Sequence, residues 1–484
     1  MMMKYYLKNI TALVLVLLMT SGYINAQVAT INSASVRQII DGFGASTAWH
    51  GQLSDAEANA SFRNDNNNQL GLSILRVRID PNSSWTDERV NAIKAKARGA
   101  MIFATPWTPP ASMKTNKNEV GGELATASYA AYATYLKQFC TFLGNVDVIS
   151  VQNEPNIAVT YESCFWNATQ LLNFCKNNAP AIGKPVMMPE TYNFDLSFSD
   201  PTLNDPVAAA NITYIGGHIY GSTPFSYTNA INKGKKVWMT EHYYNSEDIG
   251  TCVAFGIEVL DCMYYNMNAY VYWYLRQPTC NLINAGGTIK KKGYAFAHFS
   301  KFVRPGYHRI DATYQPQSWV YVAAFKGDKN VVVAVNKNAS TKIQTFKFSN
   351  DTILYLRKYT TSATKNLSDE GIIVCSGNTF KDTLDAQSIN TYVSEKNYTS
   401  NQPTIFHSPE INIYPNPTEN ERFTVSVPKS TATEIRIFNL QGQLLFSTTG
   451  SGTEIEVNSG LKAGVYIVQV NTDHLLTSKK LIVE

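Results

Sequence analysis

Two glutamates close short apolar runs in the same way. Val148-Ile-Ser-Val gives way to Gln152, Asn153, Glu154 and Pro155, and Lys236-Val-Trp-Met-Thr ends in Glu241, with His242, Tyr243 and Tyr244 after it. An apolar, β-branched run that breaks into polar groups is how a buried parallel strand reads where it leaves the core. Breaking a glycosidic bond takes one protonated carboxyl group beside the leaving oxygen and one ionised carboxylate beneath the anomeric carbon, about 5 to 5.5 Å apart when configuration is retained. One glutamate at a loop start is ordinarily a solvated residue. Two in matching contexts, flanked by amides and aromatics, suggest a general acid and a nucleophile.

Other strand ends offer supports. Trp107 and Trp273 look like stacking walls, and Trp49 extends the same cleft; for Trp166 core packing and a place along the cleft weigh nearly equally. Asn153 can donate to a sugar hydroxyl, and Tyr220 can orient the nucleophile. His218 is read as a support or as a satisfied buried histidine. A cation beside Glu241 would keep it ionised; Arg78 is the expectation, with Arg76 an equal candidate because the register is open.

These residues need a frame that brings distant strand ends to one mouth. Runs of strand length recur at 39–43, 72–79, 101–105, 146–152, 185–188, 212–218, 236–241 and 269–274. Between several lie segments with helical spacing, at 89–98, 128–143 and 253–266; in the second, Tyr132, Ala133, Leu136, Cys140 and Leu143 share a face. Strands alternating with helices in this way predict a (β/α)8 barrel, in which strand ends four and seven face each other across the top. An open doubly wound sheet would want a third glycine after Gly42-Phe-Gly44. Beyond Pro305 the helical spacing stops. Trp319–Phe325, a turn at 327–330 and Val331–Val335 read as a hairpin, and strand-length runs continue to Val393, which predicts a side β-sandwich completed by the early strand near Thr30.

The expected organisation is a signal peptide at 1–26, strands joining the sandwich at 27–45, a catalytic barrel at 46–303, the sandwich at 304–395, a polar linker at 396–408 and a small all-β domain at 409–484. The leader carries Lys4 and Lys8, an apolar run from Ala12 to Met19 and small residues to Ala26. No later segment approaches the roughly 18 apolar residues of a membrane span. The chain of 484 residues is 44% hydrophobic and 16% charged, with a net charge of +4 dispersed along it, so a nucleic-acid partner is not expected. Seven cysteines permit disulfides but leave at least one thiol over, and none stands in a Cys-x-x-Cys pair. No metal or other cofactor is expected.

Several stretches together resemble glycoside hydrolase family 30, subfamily 8, the bacterial glucuronoxylanase-like xylanases. They are Asp41-Gly-Phe-Gly44, Gly71-Leu-Ser-Ile-Leu-Arg76, Ala104-Thr-Pro-Trp-Thr-Pro-Pro-Ala-Ser-Met113, Ser150-Val-Gln-Asn-Glu-Pro155, His218-Ile-Tyr-Gly221, Trp238-Met-Thr-Glu-His-Tyr243, Tyr270-Val-Tyr-Trp-Tyr274 and Ala297–Gly306. The resemblance implies Glu154 as acid/base, Glu241 as nucleophile, and xylan as the polysaccharide substrate; the leader points to a secreted enzyme, and a monomer is expected. It also implies that Tyr243, Ser246 and an arginine after the eighth strand bind a methylglucuronosyl branch. Here Arg276 matches the first arginine of that loop, and Gln277 replaces the second, the carboxylate-binding one. A neutral amide does not replace a bidentate guanidinium, so little dependence on such branches is expected unless Lys290, Lys291 or Lys292 reaches in. The alternatives are a branch-dependent glucuronoxylanase, a β-glucosidase, β-1,6-glucanase or β-xylosidase on the same barrel, or a glycan-binding surface protein without turnover. The last 75 or so residues, from Tyr414-Pro-Asn-Pro through Gly464-Val-Tyr, resemble the C-terminal sorting domain of the type IX secretion system, which implies a transient partnership with that machinery.

Overall fold

The computed structural model describes residues 28–395, 411–419, 421–472 and 475–484. The expected signal peptide and linker lie outside them. Two compact units divide near residue 398.

The first unit holds a closed barrel of eight parallel strands in sequence order. After β1 (Ala29–Ile39) these are β2 (Gly42–Ser46), β3 (Ile74–Ile79), β4 (Met101–Pro106), β5 (Val148–Ser150), β6 (Val186–Thr191), β7 (Tyr214–His218), β8 (Lys236–Glu241) and β9 (Ala269–Tyr274). The boundary expected at 45/46 therefore cuts through the barrel's first strand: Gly42–Ser46 pairs with β3 and β9, and only β1 joins the other sheet. The helix Tyr129–Leu143 buries Tyr132, Ala133, Leu136, Cys140 and Leu143 on one face. Gly144 stops it at φ +82°, the left-handed conformation a glycine takes without penalty, and its N–H caps the Cys140 carbonyl at 3.0 Å.

Side chains alternate in and out along each barrel strand. Ile74, Phe103, Val148, Met187, Tyr214, Trp238, Ala269 and Val271 pack together as the barrel's interior plug. One step toward the carboxyl ends, the same inward rows carry Arg76 and Thr105, and farther along β7 comes His218. Polar chemistry thus begins where the plug stops. Two strands break the alternation: the register slips between Pro189 and Thr191 in β6, and between the residues paired to Gly217 and His218 in β8. An extra residue in a strand re-aims the side chain beside it. The extra residues are Glu190 in β6 and Thr240, beside Glu241, in β8.

The side sheet has nine strands in one path, adding β10 (His308–Ala312), β11 (Val320–Lys326), β12 (Asn330–Asn336), β13 (Lys342–Ser349), β14 (Tyr355–Thr361), β15 (Ser368–Val374), β16 (Thr379–Leu384) and β17 (Ser388–Glu395) to β1. Its ends fold over one another: Phe346 of β13 and Phe380 of β16 meet Tyr392 of β17 at 5.3 and 5.0 Å. That closes a sandwich from a single sheet. In β12, Val332 and Ala334 face this interior, while Val331, Val333 and Val335 face the barrel's helical layer, so the whole strand is buried. All seven cysteines are buried free thiols.

The second unit is five strands, β18 (Asn412–Tyr414), β19 (Arg422–Phe438), β20 (Leu444–Asn458), β21 (Gly464–Thr472) and β22 (Leu475–Val483). Ile413, Phe423, Val425, Ile435, Val468 and Leu481 are among its core.

Candidate active site

Chain continues past β5 in an irregular stretch held on both sides. Asn153 N–H donates to the Pro106 carbonyl at 2.8 Å, and Glu154 N–H donates to the Glu190 carbonyl at 2.9 Å. Glu154 itself stands at φ +45°, a left-handed backbone that a glutamate holds only where its surroundings enforce it. The result is that Glu154, Glu241 and His218 meet at the barrel mouth, with their carboxylate oxygens and a ring nitrogen within 4.8 Å of one another.

Each carboxylate has its own partners. Glu241 pairs through Oε2 with Arg76 Nη1 at 2.5 Å and accepts from the Tyr220 hydroxyl on Oε1 at 3.2 Å. Glu154 meets His218 Nδ1 at 3.0 Å and accepts from the Tyr161 hydroxyl at 3.2 Å. A third carboxylate, Glu190, is fully buried and bonded to Arg76 Nη2 at 3.2 Å and to the Thr105 hydroxyl at 3.1 Å. Arg76 is also fully buried; it donates to Asn153 Oδ1 at 2.7 Å, and its guanidinium lies 4.7 Å from the Trp107 ring centre.

Burial and charge pull these groups in opposite directions. Burial pushes the Glu241 carboxyl above its ordinary value and the charge of Glu154 adds to that, while His218 and Arg76 oppose it. For Glu190 the burial penalty is overcome by Arg76 and His218, so its carboxyl lies below the usual range. His218 is raised to about 9: burial disfavours its charge, but Glu241, Glu154 and Glu190 outweigh the burial. Burial and the neighbouring carboxylates push the Tyr220 hydroxyl far up, which leaves it a donor. The spacing of Glu154, His218 and Glu241 would suit metal ligands, but Arg76 already holds Glu241 and a protonated His218 has no lone pair to give.

A cleft of about 480 Å³ opens over the two glutamates. Trp49, Trp107, Trp273 and Tyr274 wall one part of it, and Tyr161, Tyr192, Tyr220 and Tyr243 line the rest. The three indoles form one cluster, with Trp49 5.0 Å from Trp107 and Trp107 5.6 Å from Trp273.

Comparison with known proteins follows the two units. Residues 412–484 match the secretion system C-terminal sorting domain, the type IX signal that sends a chain to the cell surface or the extracellular space. Glucuronoxylanase XynC of Bacillus subtilis (strain 168) is 40% identical over 388 residues, covering 75% of this chain and 91% of that protein. Among solved structures, the glycoside hydrolase family 30 subfamily 8 xylanase Xyn30A of Clostridium acetobutylicum shares 44% identity. It superposes with a TM-score of 0.73 over 76% of this chain and 99% of that one. A GH30 endoxylanase of Clostridium papyrosolvens C71 shares 38% at a TM-score of 0.72, with 76% and 99% covered.

The chain belongs to glycoside hydrolase family 30, subfamily 8.

Within this family 30 barrel the remaining expectations fall unevenly. Arg78 does not reach Glu241. It lies two residues beyond Arg76 on the same inward row, a step of about 7 Å along the strand, and there it pairs with Asp80 at 2.7 Å and with Glu162. Its guanidinium also lies 5.0 Å from the Trp49 ring centre, so it props the outer wall. Asn153 is buried behind the cleft, and its amide oxygen accepts from Arg76. Trp166 is core: it is buried against Tyr129 and Phe174 and donates to Gln152 Oε1 at 3.3 Å. Ser246 does not line the cleft; it is exposed, and its hydroxyl bonds Asp248, the cap of the helix Ile249–Tyr264. Arg276 lies in a neighbouring hollow, tied to Glu57 at 3.0 Å and to the His50 ring at 2.6 Å. Lys290 and Lys292 pair with Glu247 at 3.5 and 3.2 Å, and Lys291 donates to the Ser362 carbonyl at 2.9 Å. Among the described residues, no helix is long and apolar enough to cross a membrane.

Sequence reasoning missed Glu190, Tyr161, Tyr192 and Tyr274. Glu190 had a signal: Val186-Met-Met-Pro-Glu190 is a further apolar run ending in a carboxylate. Tyr161 and Tyr192 sit on loops, where no periodicity marks them.

Proposed function

We propose that the chain is a secreted, retaining endo-β-1,4-xylanase that acts by double displacement and depends little on glucuronic acid branches. The observation that carries the mechanism is the approach of the Glu154 and Glu241 oxygens to within 4.8 Å. An inverting pair stands about 6.5 to 9.5 Å apart to admit a water between carboxylate and sugar. Glu241, fixed by Arg76 and Tyr220, is the nucleophile. With Arg76 and His218 charged, the three carboxyl groups balance them when one holds a proton; Glu154, which meets His218 and Tyr161 and has no guanidinium partner, serves as the acid. Glu154 gives that proton to the leaving oxygen as Glu241 attacks the anomeric carbon and forms a glycosyl ester. Glu154 then takes a proton from water, whose oxygen displaces Glu241 and restores the original configuration. Trp49, Trp107 and Trp273 stack on sugar faces.

Branch independence is supported by the loop after β9. Gln277 is neutral and donates to the Trp49 carbonyl at 3.3 Å, and the charge of Arg276 is already met by Glu57. The same reading takes the chain as a monomer, with 27–395 as its catalytic part and 1–26 as its export leader. Kinetics on glucuronoxylan and on linear xylo-oligosaccharides test it, together with the anomeric configuration of the first product. The expected result is a kcat/KM ratio within about tenfold and an initial β-product. A preference of several hundredfold for the branched substrate overturns branch independence, and an initial α-product overturns the mechanism.

A further inference from the structure

A buried carboxylate is costly unless a cation or donors hold it, and Glu190 is wholly removed from solvent beside the reacting pair. Its position is enforced twice. The register slip in β6 turns it inward, and its backbone at φ +49° is left-handed, a strained state for a glutamate. Its side chain touches both cations of the site, with Oε2 3.2 Å from Arg76 Nη2 and 3.7 Å from His218 Nε2. Its carbonyl receives the Glu154 N–H. The groups facing it are Arg76 from β3, Thr105 from β4, Ser150 from β5, Glu154 after β5, His218 from β7 and Glu241 from β8, and none of the carboxylates among them bonds it. His218 Nε2 is buried and lacks a hydrogen-bond partner, standing between Glu190 at 3.7 Å and Glu241 at 3.9 Å.

We propose that Glu190 is a positioning residue of the reaction: the buried counter-charge that holds Arg76 and His218 against the two reacting carboxylates and sets how many protons that pair retains. Without it, two cations face two carboxylates and the cluster reaches neutrality with no proton on either. A general acid then has nothing to donate. The inference rests on Glu154 and Glu241 being acid and nucleophile, and it adds a third acidic group that touches no substrate.

The direction of the effect follows from sign. Removing a negative charge favours the ionised form of both neighbours, so both limbs of the pH profile move down. Glu190 and Glu241 both lie within 4 Å of His218 Nε2, at 3.7 and 3.9 Å, and so are less than about 8 Å apart. At an effective dielectric of about 20 that separation is worth about one to two pH units. Glu190 is one of the three carboxylates that raise His218 to about 9, so its loss lowers His218 as well.

The test is kcat/KM against pH on a linear xylo-oligosaccharide for Glu190→Gln, Glu190→Asp and Glu241→Ala. Glu190→Gln is expected to shift both limbs down by one unit or more and to lower kcat near neutrality with KM little changed. Glu190→Asp keeps the charge but cannot span both cations, so its limbs stay near those of the parent while kcat falls. Glu241→Ala separates the two ideas: if it retains turnover, the assignment of the reacting pair fails. If it is inactive and the limbs of a folded Glu190→Gln do not move, the inference alone is overturned. Should Glu190→Gln not fold, Glu190→Asp decides: displaced limbs or an unchanged kcat overturns the proposal.

Discussion

Replacing Arg76 by lysine would test the centre of the site without removing its charge. The guanidinium donates at once to Glu241, Asn153, Glu190 and Thr105, with the two weaker contacts at 3.2 and 3.3 Å. An ammonium radiates from one point on a shorter stem and keeps at best the contact to Glu241. Each hydrogen bond involving a charged group contributes about 1.5 to 3 kcal/mol, and the three lost to Asn153, Glu190 and Thr105 would cost roughly 4 to 9 kcal/mol of stability if nothing relaxed. Catalysis suffers separately. A nucleophile displaced by about 1 Å loses on the order of a hundredfold. Glu241 must be ionised to attack, and a looser cation raises its pKa, so activity on the acid side fails at a higher pH than in the parent. The assay is kcat, KM and the acid limb on a chromogenic xylo-oligosaccharide, with the thermal transition followed by circular dichroism. Expected are a kcat reduced about a hundredfold, a raised acid limb and a KM within a few fold. Arg78→Lys serves as the contrast, because Arg78 pairs with Asp80 and Glu162 at the rim and should leave kcat within about threefold. An Arg76→Lys enzyme with parental kcat and an unmoved limb would refute the role given to this contact.

Two further substitutions probe the frame. A Cβ on Gly44 would lie 2.5 Å from the Ile74 carbonyl oxygen, which is backbone of the adjoining strand; Gly44→Ala should therefore pry β2 from β3, costing about 1 to 3 kcal/mol and several degrees of thermal midpoint, and an unchanged midpoint would contradict the packing. His298 lies fully buried between Thr391 and Thr361, at 2.8 Å from each, and burial lowers its pKa to about 3. Its unfolded form takes up a proton below about pH 6.5 while the folded form does not. This group therefore leaves stability untouched above that pH and erodes it as pH falls toward 3, by up to about 1.4 kcal/mol per unit. Denaturant unfolding at pH 7, 6 and 5 should show a shallower acid slope for His298→Gln than for the parent, and equal slopes would show that His298 titrates normally in the fold.

What the amino-acid order disclosed, and what it hid, divides along one physical line. The barrel was legible because its strands, buried on both faces, are runs of apolar residues, and because helical spacing separates several of them; β8 and β9 begin and end at the expected residues. Glu154 and Glu241 were legible as the points where such runs break. Register was not. A period of two tells that Arg76 and Arg78 point the same way but not which layer meets the mouth, and that depends on strand stagger, a property of the closed barrel. Glu190 closes an apolar run too, but the strand was expected to stop at Met188, whereas it continues to Thr191 and the slip in β6 turns the carboxylate inward. Ser246 and Arg276 sit at the expected places in the chain, yet their side chains are taken by a helix cap and by Glu57, partners that only folding brings near. Local pattern therefore located the strands and their ends, while the charge balance of the site came from contacts between strands that no single stretch contains.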